Sequence, residues 1–84
     1  MCRARFYLAM SVDAAVAKAT ADNPELVVAS ASSVPKAWGA LAARGVSAFK
    51  ELTGRAPTDA ERRAIWSGLW REVTRVRAAE DVDR

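Results

Sequence analysis

Residues 33–79 read SVPKAWGALAARGVSAFKELTGRAPTDAERRAIWSGLWREVTRVRAA, and they decide the fold. Val34, Trp38, Leu41, Gly45, Ala48, Phe49 and Leu52 recur at steps of three and four, the spacing of one face of an α-helix. With Ser33 as cap and Pro35 in the first turn, that helix is expected to run to Thr53. Gly54 should end it, because glycine adopts the left-handed conformation that closes helices. Gly45 in mid-helix costs about 1 kcal/mol against alanine, so close packing with a neighbour is expected there. After Pro57, Thr58-Asp59-Ala60-Glu61 is a capping box: the threonine hydroxyl and the glutamate carboxylate each satisfy a free amide of the other's backbone. It starts a second long helix, reaching about Ala79, whose core seam is Ile65, Leu69, Val73 and Val76 with Trp66 beside them. Two long helices joined by a short turn pack as an antiparallel hairpin.

Toward the N-terminus the signals weaken. Asn23-Pro24-Glu25 is a helix-start signature, although Leu26-Val27-Val28 is β-branched enough for a strand. A short helix over Pro24–Ala31 is preferred, followed by a loop. Ser11 can cap a helix from Val12 to about Asp22, with Val12, Ala15, Val16 and Ala19 on one side. Residues 2–9 alternate, with Cys2, Ala4, Phe6 and Leu8 on one face, which favours a short edge strand guarded by Arg3 and Arg5. The expected architecture is mainly α: a small helical bundle ending in a helix hairpin, with a short N-terminal strand. The alternative is α+β.

The 84 residues are read as a single domain over 1–84, with 78–84 a frayed acidic tail. Apolar residues make up 51% of the chain, but 19 of those 43 are alanine. Such a core allows close helix packing and little room for an internal ligand. One cysteine, Cys2, cannot form an intrachain disulfide, and with no histidine a zinc site lacks its usual ligands. No run approaches the roughly 20 apolar residues needed to span a bilayer. The N-terminal run Phe6-Tyr7-Leu8-Ala9-Met10 is short for a secretory signal, so a cytoplasmic location is expected. The net charge is +3, spread unevenly: residues 55–77 hold six arginines against Asp59, Glu61 and Glu72, while residues 78–84 sum to −2.

Chemistry-bearing patterns are thin. Ser33-Val34-Pro35-Lys36 and Ser47-Ala48-Phe49-Lys50 both have the spacing that lets a lysine activate a serine nucleophile. Helix capping and solvated lysines explain both, and the partner motifs of that chemistry are absent. The four glycines are scattered, so no phosphate loop forms, and the acids do not cluster as paired carboxylates or a magnesium site. No catalytic, cofactor-binding or metal-binding residue is assigned, and the chain is expected to bind rather than to catalyse.

The last helix carries the most informative surface. Stepping 100° per residue from Ile65 puts Trp70 at the margin of the seam, between Arg63 and Arg77, with Arg71 and Arg75 on the far side. One interpretation makes Trp66 and Trp70 core residues and the arginines a solvated face. The other makes Arg63, Trp70, Arg71, Thr74 and Arg77 a contact patch, since tryptophan and arginine are over-represented among interface anchors. The expected partner is a protein or nucleoprotein complex. A small basic nucleic-acid-binding or accessory regulator is the alternative, with arginines neutralising phosphates. Against sequence-specific DNA reading, Asp59 and Glu61 open the candidate reading helix and would face phosphate. A homo-oligomer using the tryptophans as its own interface is a third alternative.

Two resemblances accompany these readings. Pro24-Glu25, Val34-Pro35-Lys36-Ala37-Trp38 and Ala64-Ile65-Trp66 stand where the ChaB-type small helical domain has a Pro-Glu-led turn, a Pro-started helix and a small-apolar-Trp step. The chain resembles that family over residues 24–73, which implies a helical fold more than an activity. In size and character it also resembles the phage-encoded anti-CRISPR proteins, which implies a small inhibitor that occupies the surface of a nucleoprotein machine. Unlike the acidic DNA mimics of that group this chain is basic, so contact with an acidic protein face or bound nucleic acid is expected instead.

Overall fold

The computed structural model describes the backbone of residues 2–82 and the side chains of residues 11–79. Four helices follow in order: α1 (Cys2–Asp22), α2 (Pro24–Ala31), α3 (Ala37–Thr53) and α4 (Asp59–Val82). The protein is mainly α, and no strand occurs among the described residues. The strand expected over residues 2–9 is instead the opening of α1, so Ser11 lies inside that helix rather than capping it. The reason is partnership: an isolated strand leaves its amides without a ladder, and no second strand is there to supply one. A helix satisfies them within the segment, and Arg3, Ala4, Arg5, Leu8, Ala9 and Met10 are good helix formers.

Local chemistry explains the breaks between helices. The Asn23 side chain donates to the Ala19 carbonyl at 2.9 Å, so it ends α1 rather than capping α2. Pro24 then takes the first turn of α2, where its missing amide costs nothing. Ser33 does not cap α3 as expected; it closes α2. It stands at φ 59°, its amide donates to the Ser30 carbonyl, and the Val34 amide donates to the Ala29 carbonyl at 2.9 Å. That pair of bonds is the Schellman closure, with serine where glycine is usual. Lys36, also left-handed at φ 69°, precedes the true start of α3 at Ala37. Gly54 ends α3 as expected, at φ 76° with its amide on the Lys50 carbonyl at 2.8 Å. The capping box of α4 also forms: the Thr58 amide donates to Glu61 Oε1 at 2.8 Å, and the Glu61 amide donates to Thr58 Oγ1 at 3.2 Å. α4 continues three residues past the expected end at Ala79; residues 83 and 84 of the acidic tail lie outside the described residues.

The core joins all four helices. Ala15 and Ala19 of α1, Val27 and Ala31 of α2, Leu41, Ala48 and Phe49 of α3, and Ile65, Leu69 and Val73 of α4 form one buried cluster. Alanine on α1 and glycines on α3 and α4 let the backbones close in. A Cβ placed on Gly45 would lie 2.8 Å from both Ile65 Cγ2 and Leu69 Cδ1, and one on Gly68 would lie 2.8 Å from Val16 Cγ2. α4 is therefore held against α3 through Gly45 and against α1 through Gly68. No helix among the described residues is long and apolar enough to cross a membrane.

Candidate partner-binding surface

The outward side of α4 begins where its seam stops. Ile65, Leu69 and Val73 are fully buried and Val76 packs against the cluster, whereas Trp66, which the sequence left open between core and contact surface, lies at the surface. It is 38% exposed and Trp70 is 47% exposed. The helical step gives the reason: relative to Ile65, Leu69 lies about 40° round the helix, whereas Trp66 lies about 100° and Trp70 about 140°. The short side chains of the α3–α4 contact bring the seam in and leave the two indoles along its edge.

The indoles are held in place. Trp38, half-buried at the start of α3, meets Trp70 edge-to-face with ring centroids 5.3 Å apart and planes at 83°. Its position in the α3 stripe suggested core, so sequence reasoning missed its share in the surface. Arg77 lies over the Trp70 ring at 5.8 Å, and Arg62 over Trp66 at 5.7 Å. Each indole thus has a guanidinium against one face, an attraction between the cation and the ring quadrupole.

The five residues expected to form the contact patch divide in two. Arg77 is half-buried and faces inward: Nε donates to the Ala31 carbonyl at 3.0 Å and Nη2 to the Ser30 carbonyl at 3.4 Å. Those carbonyls belong to the last turn of α2, where helical amides run out, and the Ser30 carbonyl also accepts the Ser33 amide. Arg77 is therefore a clasp between α2 and α4 and a support for Trp70. Arg63, Trp70, Arg71 and Thr74 are exposed. The other arginines of this region are spoken for: Arg62 pairs with Asp59, Arg75 with Glu72, and Arg55 forks onto Glu61 with both bonds at 2.8 Å. That fork and the Thr58 amide hold the Glu61 carboxyl down to about 2, well below its ordinary range. Arg63 and Arg71 have neither an ion pair nor a side-chain hydrogen bond among the described residues.

On the flank away from the indoles, a cleft of about 420 Å³ opens between α1 and α4. Val12 and Asp13 line it from α1, and Ala60, Glu61, Ala64, Ser67 and Arg71 from α4. Nothing in the sequence reading anticipated it, since its walls come from segments far apart in the chain. Its location is set by Gly68: with α1 and α4 touching there, alanines one and two turns earlier leave a gap.

Among the described residues, no three Cys, Asp or Glu side chains gather as a metal-binding group. Of the two Ser-x-x-Lys strings, the first occupies the strained turn before α3 and the second has both ends exposed on α3. Compared with models of known protein families, with curated proteins and with solved structures, the chain has no significant match.

Proposed function

We propose that this protein is a non-enzymatic interaction module that docks a protein or nucleoprotein partner on the outer face of α4. The observation that carries this reading is Trp70, 47% exposed and braced by Trp38 and Arg77, with Arg63 next to it round the helix and Arg71 farther round, both unpaired among the described residues. A large indole kept at the surface in a fixed pose, flanked by guanidiniums, has the chemistry of an interface anchor. In its sharpest form the module is an inhibitor of the anti-CRISPR kind, which blocks a CRISPR–Cas complex by occupying its surface; size and composition support that form.

The charge census argues against naked nucleic acid as the main partner. Affinity for duplex DNA grows with the number of phosphates neutralised, and the strongly salt-dependent binders make roughly 6–10 such contacts. Here two free arginines border the face, with Asp59, Glu61 and Glu72 on the same helix. A gel shift across a salt series is expected to show at most weak binding with a shallow slope. Steep, tight binding would favour the nucleic-acid regulator instead.

The direct test is Trp70→Ala. Expressed in a CRISPR-immune host, the wild-type chain should raise the plating efficiency of a targeted phage, and Trp70→Ala should abolish the effect while leaving helicity unchanged by circular dichroism. Protection unaltered by that substitution removes the α4 face from the function. If no plating effect is seen with the wild type, the anti-CRISPR form is wrong.

A further inference from the structure

The cleft between α1 and α4, on the flank away from the indoles, has the make-up of a small-molecule site. Its volume of about 420 Å³ falls within the range of roughly 300–1,000 Å³ in which such ligands are held. Val12, Ala60 and Ala64 give it an apolar lining, and Asp13, Ser67 and Arg71 add a few polar groups. Glu61, which also lines it, is already committed: its carboxylate accepts the Arg55 fork and the Thr58 amide.

Asp13 and Arg71 are not committed. They line the same cleft from different helices, both exposed, and neither has an ion pair or a side-chain hydrogen bond among the described residues, with each other or elsewhere. That pair of charges selects what can settle there. A lone anion suits Arg71 but meets Asp13, and a lone cation suits Asp13 but meets Arg71. An uncharged apolar molecule would take water from both charges and return no partner. A zwitterion offers each its opposite, and a guanidinium can take a carboxylate through two parallel bonds. Ser67, one turn before Arg71 on α4, adds a hydroxyl on the same side. The apolar lining then calls for a ligand with an apolar arm beside its two charges.

We infer that the α1–α4 cleft is a binding site for an α-amino acid with an apolar side chain. Its carboxylate goes to Arg71 and Ser67, its ammonium group to Asp13, and its side chain against Val12, Ala60 and Ala64. The site lies apart from the Trp70 face and does not depend on the reading given to that face.

The test is an NMR titration of isotope-labelled protein, following the amide resonances of Asp13, Ala64, Ser67 and Arg71. L-leucine should shift them saturably. N-acetyl-L-leucine lacks the ammonium group, L-leucinamide lacks the carboxylate and glycine lacks the apolar arm; each should bind roughly tenfold more weakly than leucine or worse. Arg71→Ala should erase the preference for leucine over leucinamide, and Asp13→Ala the preference for leucine over N-acetyl-leucine. Both residues are exposed and unpaired, so the fold is kept, and the same spectra check that it is. The inference is overturned if leucine gives no saturable shift, or shifts only resonances away from the cleft. Glycine binding as tightly as leucine also overturns it, as does either preference surviving its own substitution. Failure of leucine to bind leaves the docking face standing, because that reading is tested through Trp70.

Discussion

Glu61 joins two structural roles in one carboxylate. It accepts the Thr58 amide at the start of α4 and the Arg55 fork from the preceding turn, while Arg55 also lies over the Phe49 ring at 5.1 Å. Because its folded value sits near 2 and its ordinary value is 4.5, the carboxylate stabilises the fold fully above about 4.5, and that contribution fades as pH falls toward 2. Glu61→Ala should therefore cost about 1–2 kcal/mol at pH 7, the usual size of a lost cap plus its ion pair. Urea unfolding of both proteins at pH 7 and pH 2.5 checks this. The gap should narrow markedly in acid; a gap of equal size at both would mean that the charge is not what holds the turn. The capping box was legible from Thr58 and Glu61 alone, because both partners lie within one turn of chain. Arg55's fork was not, since it depends on how the loop folds back.

At the scale of the elements, the α2–α3 turn holds two non-glycine residues in the left-handed region, Ser33 and Lys36. That conformation costs an L-residue roughly 1–2 kcal/mol, and glycine avoids it at the expense of a freer unfolded chain. Ser33→Gly and Lys36→Gly should each raise stability by about 0.5–1 kcal/mol in chemical denaturation. A loss from either would mean that its side chain makes a contact outweighing the strain. The same turn shows why element boundaries were half legible. Gly54 announced the end of α3 because glycine is the common closing residue, whereas Ser33 closes α2 with a residue whose usual place is a helix start. The alternation of residues 2–9 misled for a related reason: over eight residues a period of two is compatible with either geometry, and only the absence of a pairing strand decides. Trp38 and Trp66 belong to the same class of difficulty. Helical spacing places them within half a turn of the seam, and how far a seam extends depends on the neighbouring helix's bulk.

At the scale of the whole molecule, the arrangement depends on side chains of one helix pressing onto the bare glycine backbone of the next. Gly45→Ala would gain about 1 kcal/mol of helix propensity but force Ile65 or Leu69 aside, at a cost of about 1–3 kcal/mol. A net destabilisation on the order of 1 kcal/mol is expected, visible as a lower melting temperature; a higher one would show slack between α3 and α4. Sequence reasoning anticipated close packing at Gly45 from its position within an apolar stripe. It could not anticipate the α1–α4 cleft, which is made by what alanine lacks rather than by any side chain that announces itself.

Gly45 and Gly68 also decide how the outer face of α4 behaves when something lands on it. Seated against α3 at Gly45 and against α1 at Gly68, α4 presents a surface set by its packing rather than one left to adjust. A partner must match that surface as it stands, and most of the ordering entropy of the encounter falls on the incoming chain. Selectivity would then be read from ligand length and charge spacing rather than from any adjustment of this protein.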